Sequence, residues 1–317
     1  MYLLTGATGF IGRHIARELL AHGASVVMTV RVVPKNSESE YPGFNWHVVG
    51  DINSKTDWQP ALLGVQTVVH CAARAHVMRE HAPDALGAFR EVNVAGTLRL
   101  AQQAAASGVE RFVFLSSIGV NGNQSSVPFT EASEPHPHDA YAVSKFEAEQ
   151  ALLDLAAQTG MEVVIIRPPL VYGPGAPGNF GSLVRGVQRG LPLPLGAVHN
   201  QHSLVALDNL VSLVLLCADR GRSPLAANQV FVVADGEDVS TSTLLRKVAR
   251  AAGRPSRLLP VPGSWLRAGA SLLGKRAVAD RLLGNLQVDA AKARTLLGWR
   301  PLVTMDAQLA KMFEHKD

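Results

Sequence analysis

An apolar run, Tyr2-Leu3-Leu4-Thr5, passes straight into Gly6-Ala7-Thr8-Gly9-Phe10-Ile11-Gly12, and an amphipathic segment follows over 10–22 and closes at Gly23. Strand, glycine turn and helix in that order constrain the fold more than any other stretch of the chain. Gly6 permits the tight turn, Gly9 lets backbone approach a pyrophosphate, and Gly12 lets the helix pack on the strand. The helix N-terminus then offers free N–H groups and partial positive charge to the phosphates. A joint held only by packing glycines is the alternative, but the strand before and the helix after favour a dinucleotide site.

The next strand, 25–30, ends at Arg31, and residues 24–37 contain no Asp or Glu. A ribose diol is usually held by an acid at this place, whereas a guanidinium suits a 2′-phosphate. NADP(H) is therefore favoured over NAD(H), with Arg31 as the clamp and Arg13 as a weaker candidate. Val48–Ile52 reads as a third strand whose Asp51 accepts from an adenine amino group. Thr67–Ala73 is a continuous apolar run suited to a buried parallel strand, and Ala72 and Ala73 at its end leave room for a cofactor. In the polar loop 76–81, His76 or Arg79 is a candidate substrate contact, a solvated loop being the favoured reading for either one, and no group there has metal-ligand spacing.

A long helix is expected over 84–107, with Asn93 needing amide partners if buried. Strand 111–115 delivers Ser116-Ser117 at its carboxyl end, a loop spans 119–138, and a helix runs from Asp139 to about 158. Tyr141 and Lys145 lie four apart and so share one face of that helix. A lysine ammonium beside a phenol favours the phenolate, and a serine hydroxyl aimed at the same point completes a group able to move a proton on or off a carbinol oxygen. Strand 162–167 follows, and from residue 168 Pro and Gly dominate as far as Gly196. Short strands (203–206, 230–234) and helices (from 208, 241–252, 289–297) complete the chain.

The pattern predicts an α/β fold, a doubly wound parallel sheet of Rossmann-like type with a smaller C-terminal substrate-binding lobe. The dinucleotide-binding domain is assigned to 1–167 plus about 203–222, and the lobe to about 168–202 and 223–317. Hydrophobic residues make up 47% of the 317 and charged residues 18%, which is enough apolar chain for a large core. The net charge of +4 is not concentrated in a run of Lys or Arg, and aromatics are 6%, which argues against nucleic-acid binding. Cys71 and Cys217 are expected as buried free thiols. With no signal-peptide pattern and no apolar stretch of spanning length, the expectation is a cytosolic protein without membrane insertion.

Taken together, these motifs resemble the extended short-chain dehydrogenase/reductases, the branch containing nucleotide-sugar epimerases, dehydratases and 4-ketoreductases. Thr5–Gly12 resembles the cofactor motif, which implies contacts from Gly6, Thr8, Gly9, Phe10, Ile11 and Gly12. Asp51-Ile52 resembles the adenine motif and His70–Ala73 the small-residue motif. Asn93–Thr97 resembles the helix motif whose Asn supports the site. Arg167–Gly175 resembles the stretch lining the nicotinamide, with Pro168 at the cofactor. The resemblance implies Tyr141 as general acid/base, Lys145 lowering its pKa and holding the nicotinamide ribose, and Ser117 bonding the reacting oxygen. It further implies a UDP-sugar held by Asn179 beside Phe180, by Leu193 and Leu195 in the 191–196 segment, and by Asn200, His202 and Arg281. His202 stands where relatives often carry arginine. A homodimer through helices 84–107 and 139–158 is also implied.

Within that family, Arg31 favours an exchangeable NADPH, and the stretch 70–80 resembles a subgroup acting on UDP-4-keto-6-deoxy-N-acetylhexosamines. The leading expectation is a 4-ketoreductase forming UDP-N-acetylquinovosamine or UDP-N-acetylfucosamine for surface polysaccharide. An NAD-dependent 4-epimerase of UDP-hexose or UDP-N-acetylhexosamine is the alternative, and a non-catalytic NADP(H)-binding sensor or scaffold stands behind both. Dehydratase chemistry is disfavoured because Ile118-Gly119 follow the serine in place of an acid pair.

Overall fold

The computed structural model describes residues 1–35, 43–75, 84–274 and 276–314. The strands are β1 (Tyr2–Thr5), β2 (Val26–Val30), β3 (Asn45–Val48), β4 (Thr67–His70), β5 (Arg111–Leu115), β6 (Glu162–Arg167), β7 (Leu170–Tyr172), β8 (Leu204–Ala206) and β9 (Gln229–Val232). The α-helices are α1 (Phe10–Ala21), α2 (Ala85–Arg90), α3 (Thr97–Ala106), α4 (Ala140–Thr159), α5 (Gly178–Gln188), α6 (Leu207–Ala218), α7 (Thr241–Ala251), α8 (Gly263–Leu272), α9 (Arg276–Leu283), α10 (Ala291–Leu297) and α11 (Met305–Lys311).

Seven strands form one parallel sheet in the order β3-β2-β1-β4-β5-β6-β9. Consecutive strand residues face opposite sides, so each short apolar run fills two cores. Leu4, Met28, Val69, Val113 and Ile166 pack with Ile15 and Leu19 of α1 and Leu210 and Val214 of α6. Leu3, Val68, Phe112, Phe114 and Ile165 pack with Leu100 and Ala104 of α3 and Leu152 of α4. Double burial is what a run such as Phe112–Leu115 without polar alternation requires. The registers Thr5↔His70, His70↔Phe114 and Leu115↔Ile166 bring the carboxyl ends of β1, β4, β5 and β6 level. Ligands of open α/β sheets bind at that edge, where strand order reverses between β1 and β4.

Four expectations are corrected. The third strand is Asn45–Val48, not 48–52: Gly50 at φ +69° turns the chain, so Asp51 lies beyond the strand. The helix expected over 84–107 is interrupted by a π-helical turn, Glu91–Gly96, which contains Asn93. Strand β9, expected in the lobe, pairs with β6 and extends the main sheet. The Pro/Gly-rich stretch after β6 contains β7, which pairs with β8, and then α5. Beyond the sheet a third core gathers Phe180, Val184, Leu195, Leu245, Val248 and Leu309, and this is the core of the smaller lobe.

Candidate active site

The site forms where these strand ends meet. At the end of β1, Gly6 takes φ +71°, and a Cβ on it would lie 2.8 Å from the Ala72 nitrogen. A Cβ on Gly12 would lie 2.2 Å from the Gly6 carbonyl oxygen, so the turn closes only with glycine there. Gly9 caps α1 without a side-chain hydrogen bond, and no acid lies in the first turn. Thr8 and Gly9 are exposed, with Phe10 and Ile11 half-buried behind them. An uncapped N-terminus at the switch point, with open backbone before it, fits a pyrophosphate.

A buried hydrogen-bond network sets the floor beneath this turn. His70 is 1% exposed, with Nδ1 2.8 Å from Thr5 Oγ1 and Nε2 2.9 Å from Thr97 Oγ1. Burial, with the nearby Lys145 charge, pushes its pKa down to about 3, so the ring is neutral. Thr5 Oγ1 also accepts the Ala72 N–H at 3.0 Å, holding the half-buried Ala72-Ala73 segment against β1. Asn93 finds the amide partners its burial demands: Oδ1 accepts the Arg74 N–H at 2.8 Å, while Nδ2 donates to the Arg74 carbonyl at 3.1 Å and to Ser144 Oγ at 3.0 Å. The π turn thus ties the end of β4 to α4. Gly96 in that turn also has Ile52 packed on it, since a Cβ there would lie 2.6 Å from the Ile52 side chain.

Ser117 follows β5, and its Oγ accepts the Gly119 N–H at 3.1 Å. That uses the oxygen as acceptor and leaves the O–H to donate. The Ile118 N–H donates to the Pro168 carbonyl at 2.9 Å, seating the end of β6 beside the serine. Helix α4 begins at Asp139, whose side chain accepts the Ala142 N–H at 2.8 Å, an ordinary N-cap. One turn in stand Tyr141 and Lys145. Burial pushes the Tyr141 phenol up to about 12, and the Asp139 charge adds to the rise. Lys145 is 2% exposed and burial pulls it down to about 8, opposed by Cys71 and Glu149.

The expected pull of Lys145 on the phenol is therefore corrected. The ammonium lies 4.1 Å from the centroid of the Phe114 ring, and what moves the Tyr141 phenol is burial and Asp139, both upward. Sequence spacing places the two residues on one face; it does not say that the lysine turns toward the aromatic floor.

One turn beyond Lys145 on α4 lies a charged group that sequence reading missed. Glu149 is fully buried and receives Arg167 through Nε at 3.0 Å and Nη2 at 2.5 Å, and the Ser116 hydroxyl at 2.5 Å. Arg167 Nη1 also donates to Asn121 Oδ1 at 3.1 Å. The available signal was Glu149 one turn after Lys145, on the face already assigned to the site.

The other expected residues divide. Arg31 and Asp51 are both exposed, their charges 3.8 Å apart beyond the ends of β2 and β3. Asn179 is exposed at the start of α5, ahead of the buried Phe180. Leu193 is half-buried and bridges to Leu258, but Leu195 turns into the lobe core. Asn200 is turned to structural use, its amide donating to the carbonyls of Leu282 and Gly284 and accepting the Thr241 N–H. His202 is sandwiched between Val239 and Leu286, with Nε2 buried and unpartnered among the described residues. Arg281 is exposed and reaches Asp139 Oδ2 at 3.3 Å, a contact with the α4 cap that the sequence did not foretell. His76 and Arg79 lie outside the described residues.

A parallel sheet wound on both faces, with an uncapped glycine turn at the end of β1, is the dinucleotide-binding fold of the short-chain dehydrogenase/reductases. The model of the NAD dependent epimerase/dehydratase family matches residues 2–234, and the chain belongs to that family. It is 46% identical over 306 residues to a Vibrio cholerae UDP-glucose 4-epimerase, spanning 96% of this chain and 91% of that one. The dTDP-glucose 4,6-dehydratase of Streptomyces venezuelae with NAD bound superposes with a TM-score of 0.77 at 27% identity, covering 98% of this chain and 95% of that one. The UDP-glucose 4-epimerase of Thermotoga maritima with UDP-glucose has the same fold, with a TM-score of 0.76 at 23% identity over 99% and 97% of the two chains. The protein is an NAD(P)-dependent enzyme of the epimerase/dehydratase family.

Proposed function

We propose that the chain reduces the C4 ketone of a UDP-linked 4-keto-6-deoxy-N-acetylhexosamine, using NADPH. The observation that carries the reading is Arg31, exposed immediately after β2 in a stretch, 24–37, that offers no carboxylate to a ribose diol. In this reading the glycine turn holds the pyrophosphate, Asp51 and Ile52 flank the adenine, and Ala72, Ala73, Asn93 and Pro168 shape the nicotinamide end. A nicotinamide dinucleotide bound there supplies the hydride.

The chain's own residues manage the proton. With its pKa near 12, Tyr141 holds its proton at neutral pH and is the donor to the carbonyl oxygen as that oxygen becomes a carbinol. Ser117 donates its O–H to the same oxygen and orients it. Lys145, charged below about pH 8, holds the nicotinamide ribose through its ammonium. Asn179, Arg281 and His202 stand on the lobe side for the UDP diphosphate. The proposed dimer pairs α2–α3 and α4 of two copies.

A second reading, 4-epimerisation of a UDP-hexose, is favoured by the 46% identity to the Vibrio cholerae UDP-glucose 4-epimerase. An epimerase keeps its dinucleotide, whereas a reductase exchanges it each turnover. Denaturing the purified protein and assaying released nucleotide separates the two. NADPH consumption with a UDP-4-keto sugar and no retained nucleotide supports reduction. Stoichiometric NAD together with interconversion of UDP-glucose and UDP-galactose overturns it.

A further inference from the structure

Between Asp238 and Asp289 the chain carries nine Lys and Arg against one acid, Asp280, a local charge of +8 in a protein of +4. The remainder is therefore net −4. Seven of those cations are exposed: Arg246, Arg250, Arg254, Arg257, Arg267, Arg276 and Arg281. Arg281 faces Asp139 and Arg276 faces Asp280 at 3.9 Å, but Arg254, Arg257 and Arg267 have no carboxylate at salt-bridge distance among the described residues.

Among the described residues the same segment holds three of the five most exposed large apolar side chains. Helix α8 has no buried residue; Trp265 is 73% exposed, Leu272 90% and Leu273 74%. Trp265 and Leu272 are seven apart and share a helix face, with only Ala268 and Gly269 between them. A soluble lobe gains nothing by presenting tryptophan and leucine to water at the centre of its cationic segment. Trp265 is also the one exposed tryptophan of four, since Trp46 is half-buried and Trp58 and Trp299 are buried.

We propose that α8, with Arg267 and the arginines flanking it in sequence, docks on an anionic lipid bilayer surface. An interfacial helix buries its apolar face at the headgroup boundary while cations remain at headgroup level. Charge selects this occupant over a second copy of the chain, because pairing two α8 faces would set Arg267 and the unpaired arginines beside it in sequence against their like. Charge also sets the orientation: the net negative remainder is repelled by the bilayer that attracts the lobe. The contact is peripheral, for no described helix is long and apolar enough to cross a membrane. It places the enzyme beside membrane-bound reactions that would draw on its product.

The test uses the full-length protein with vesicles of equimolar phosphatidylcholine and phosphatidylglycerol, followed by sedimentation and tryptophan emission. The expected result is co-sedimentation with a blue shift, absent with pure phosphatidylcholine and reversed by high salt. Trp265→Phe removes the shift and keeps sedimentation. The double variant Leu272→Ser/Leu273→Ser weakens sedimentation, and Arg254→Gln or Arg267→Gln lowers the affinity about fivefold each. All four variants retain turnover of soluble substrate without vesicles, which shows that they fold. No co-sedimentation, equal binding to neutral vesicles, or a blue shift that follows protein concentration and doubled mass without lipid would overturn the proposal. The measurement stands whichever sugar reaction the protein performs.

Discussion

The Ser116 hydroxyl donates to Glu149 Oε1 at 2.5 Å, joining the end of β5 to the middle of α4 directly beneath Ser117 and Lys145. Glu149 also carries Arg167, so the ends of β5 and β6 and helix α4 are fixed by one carboxylate. Glu149→Gln leaves the Arg167 charge buried without a counter-charge and should cost about 3 kcal/mol of stability in denaturant titration. Replacing both charged residues by apolar ones should cost less than the single change, because the stranded charge is then gone.

Tyr141→Phe keeps the ring and removes the proton. Turnover should fall by roughly 10²–10⁴ with KM little changed, since only the proton-transfer step is lost. Ser117→Ala should cost about 10² by removing one donor to the developing oxygen charge. Steady-state kinetics with NADPH and a UDP-4-keto sugar measures both, and full activity of the phenylalanine variant would remove Tyr141 from the mechanism.

Lys145 gives a stability signature with a definite sign. Its folded pKa, about 8, lies below the ordinary 10.5 because burial disfavours the charge. Below pH 8 both states are protonated and the burial penalty is fully present. Between 8 and 10.5 the folded state releases its proton first, so stability rises with pH, by on the order of 3 kcal/mol in total. Lys145→Met should be more stable than the parent at neutral pH, nearly inactive, and without that rise. Reductive turnover of the parent should fall above about pH 8, as the ammonium is lost.

His70 acts at the acid end. With a folded pKa near 3 against an ordinary 6.5, the unfolded chain takes up the proton first as pH drops. Stability should therefore fall through the window from 6.5 to 3, by on the order of 5 kcal/mol from this residue. A His70→Gln variant unfolded across that range should show a flatter profile.

Gly12→Ala should abolish dinucleotide binding. The added methyl meets the Gly6 carbonyl at 2.2 Å, and the turn must open to admit it. NADPH fluorescence titration checks this, with Gly23→Ala as the contrast: its Cβ meets nothing within 4 Å, though its φ of +72° costs some stability.

What the sequence by itself determined follows from local rules. Uninterrupted apolar runs marked doubly buried strands, so β5 and β6 were placed to the residue, and the glycine turn, Ser117 and the Tyr141–Lys145 spacing were legible because each lies within one turn of chain. Tertiary structure decided whatever depends on partners distant in sequence. Val48–Ile52 is apolar enough to read as strand, yet its pairing ends at Val48, where the edge of the sheet meets a left-handed glycine. Asn200 and Leu195 read as substrate contacts but are drawn into the lobe by 282–284 and by its core. Tyr141 and Lys145 are the sharpest case. Their spacing put them on one face, but the direction of the phenol's pKa came from burial and Asp139, and the lysine's resting place came from the Phe114 ring, a contact between α4 and β5 that no spacing within the helix encodes.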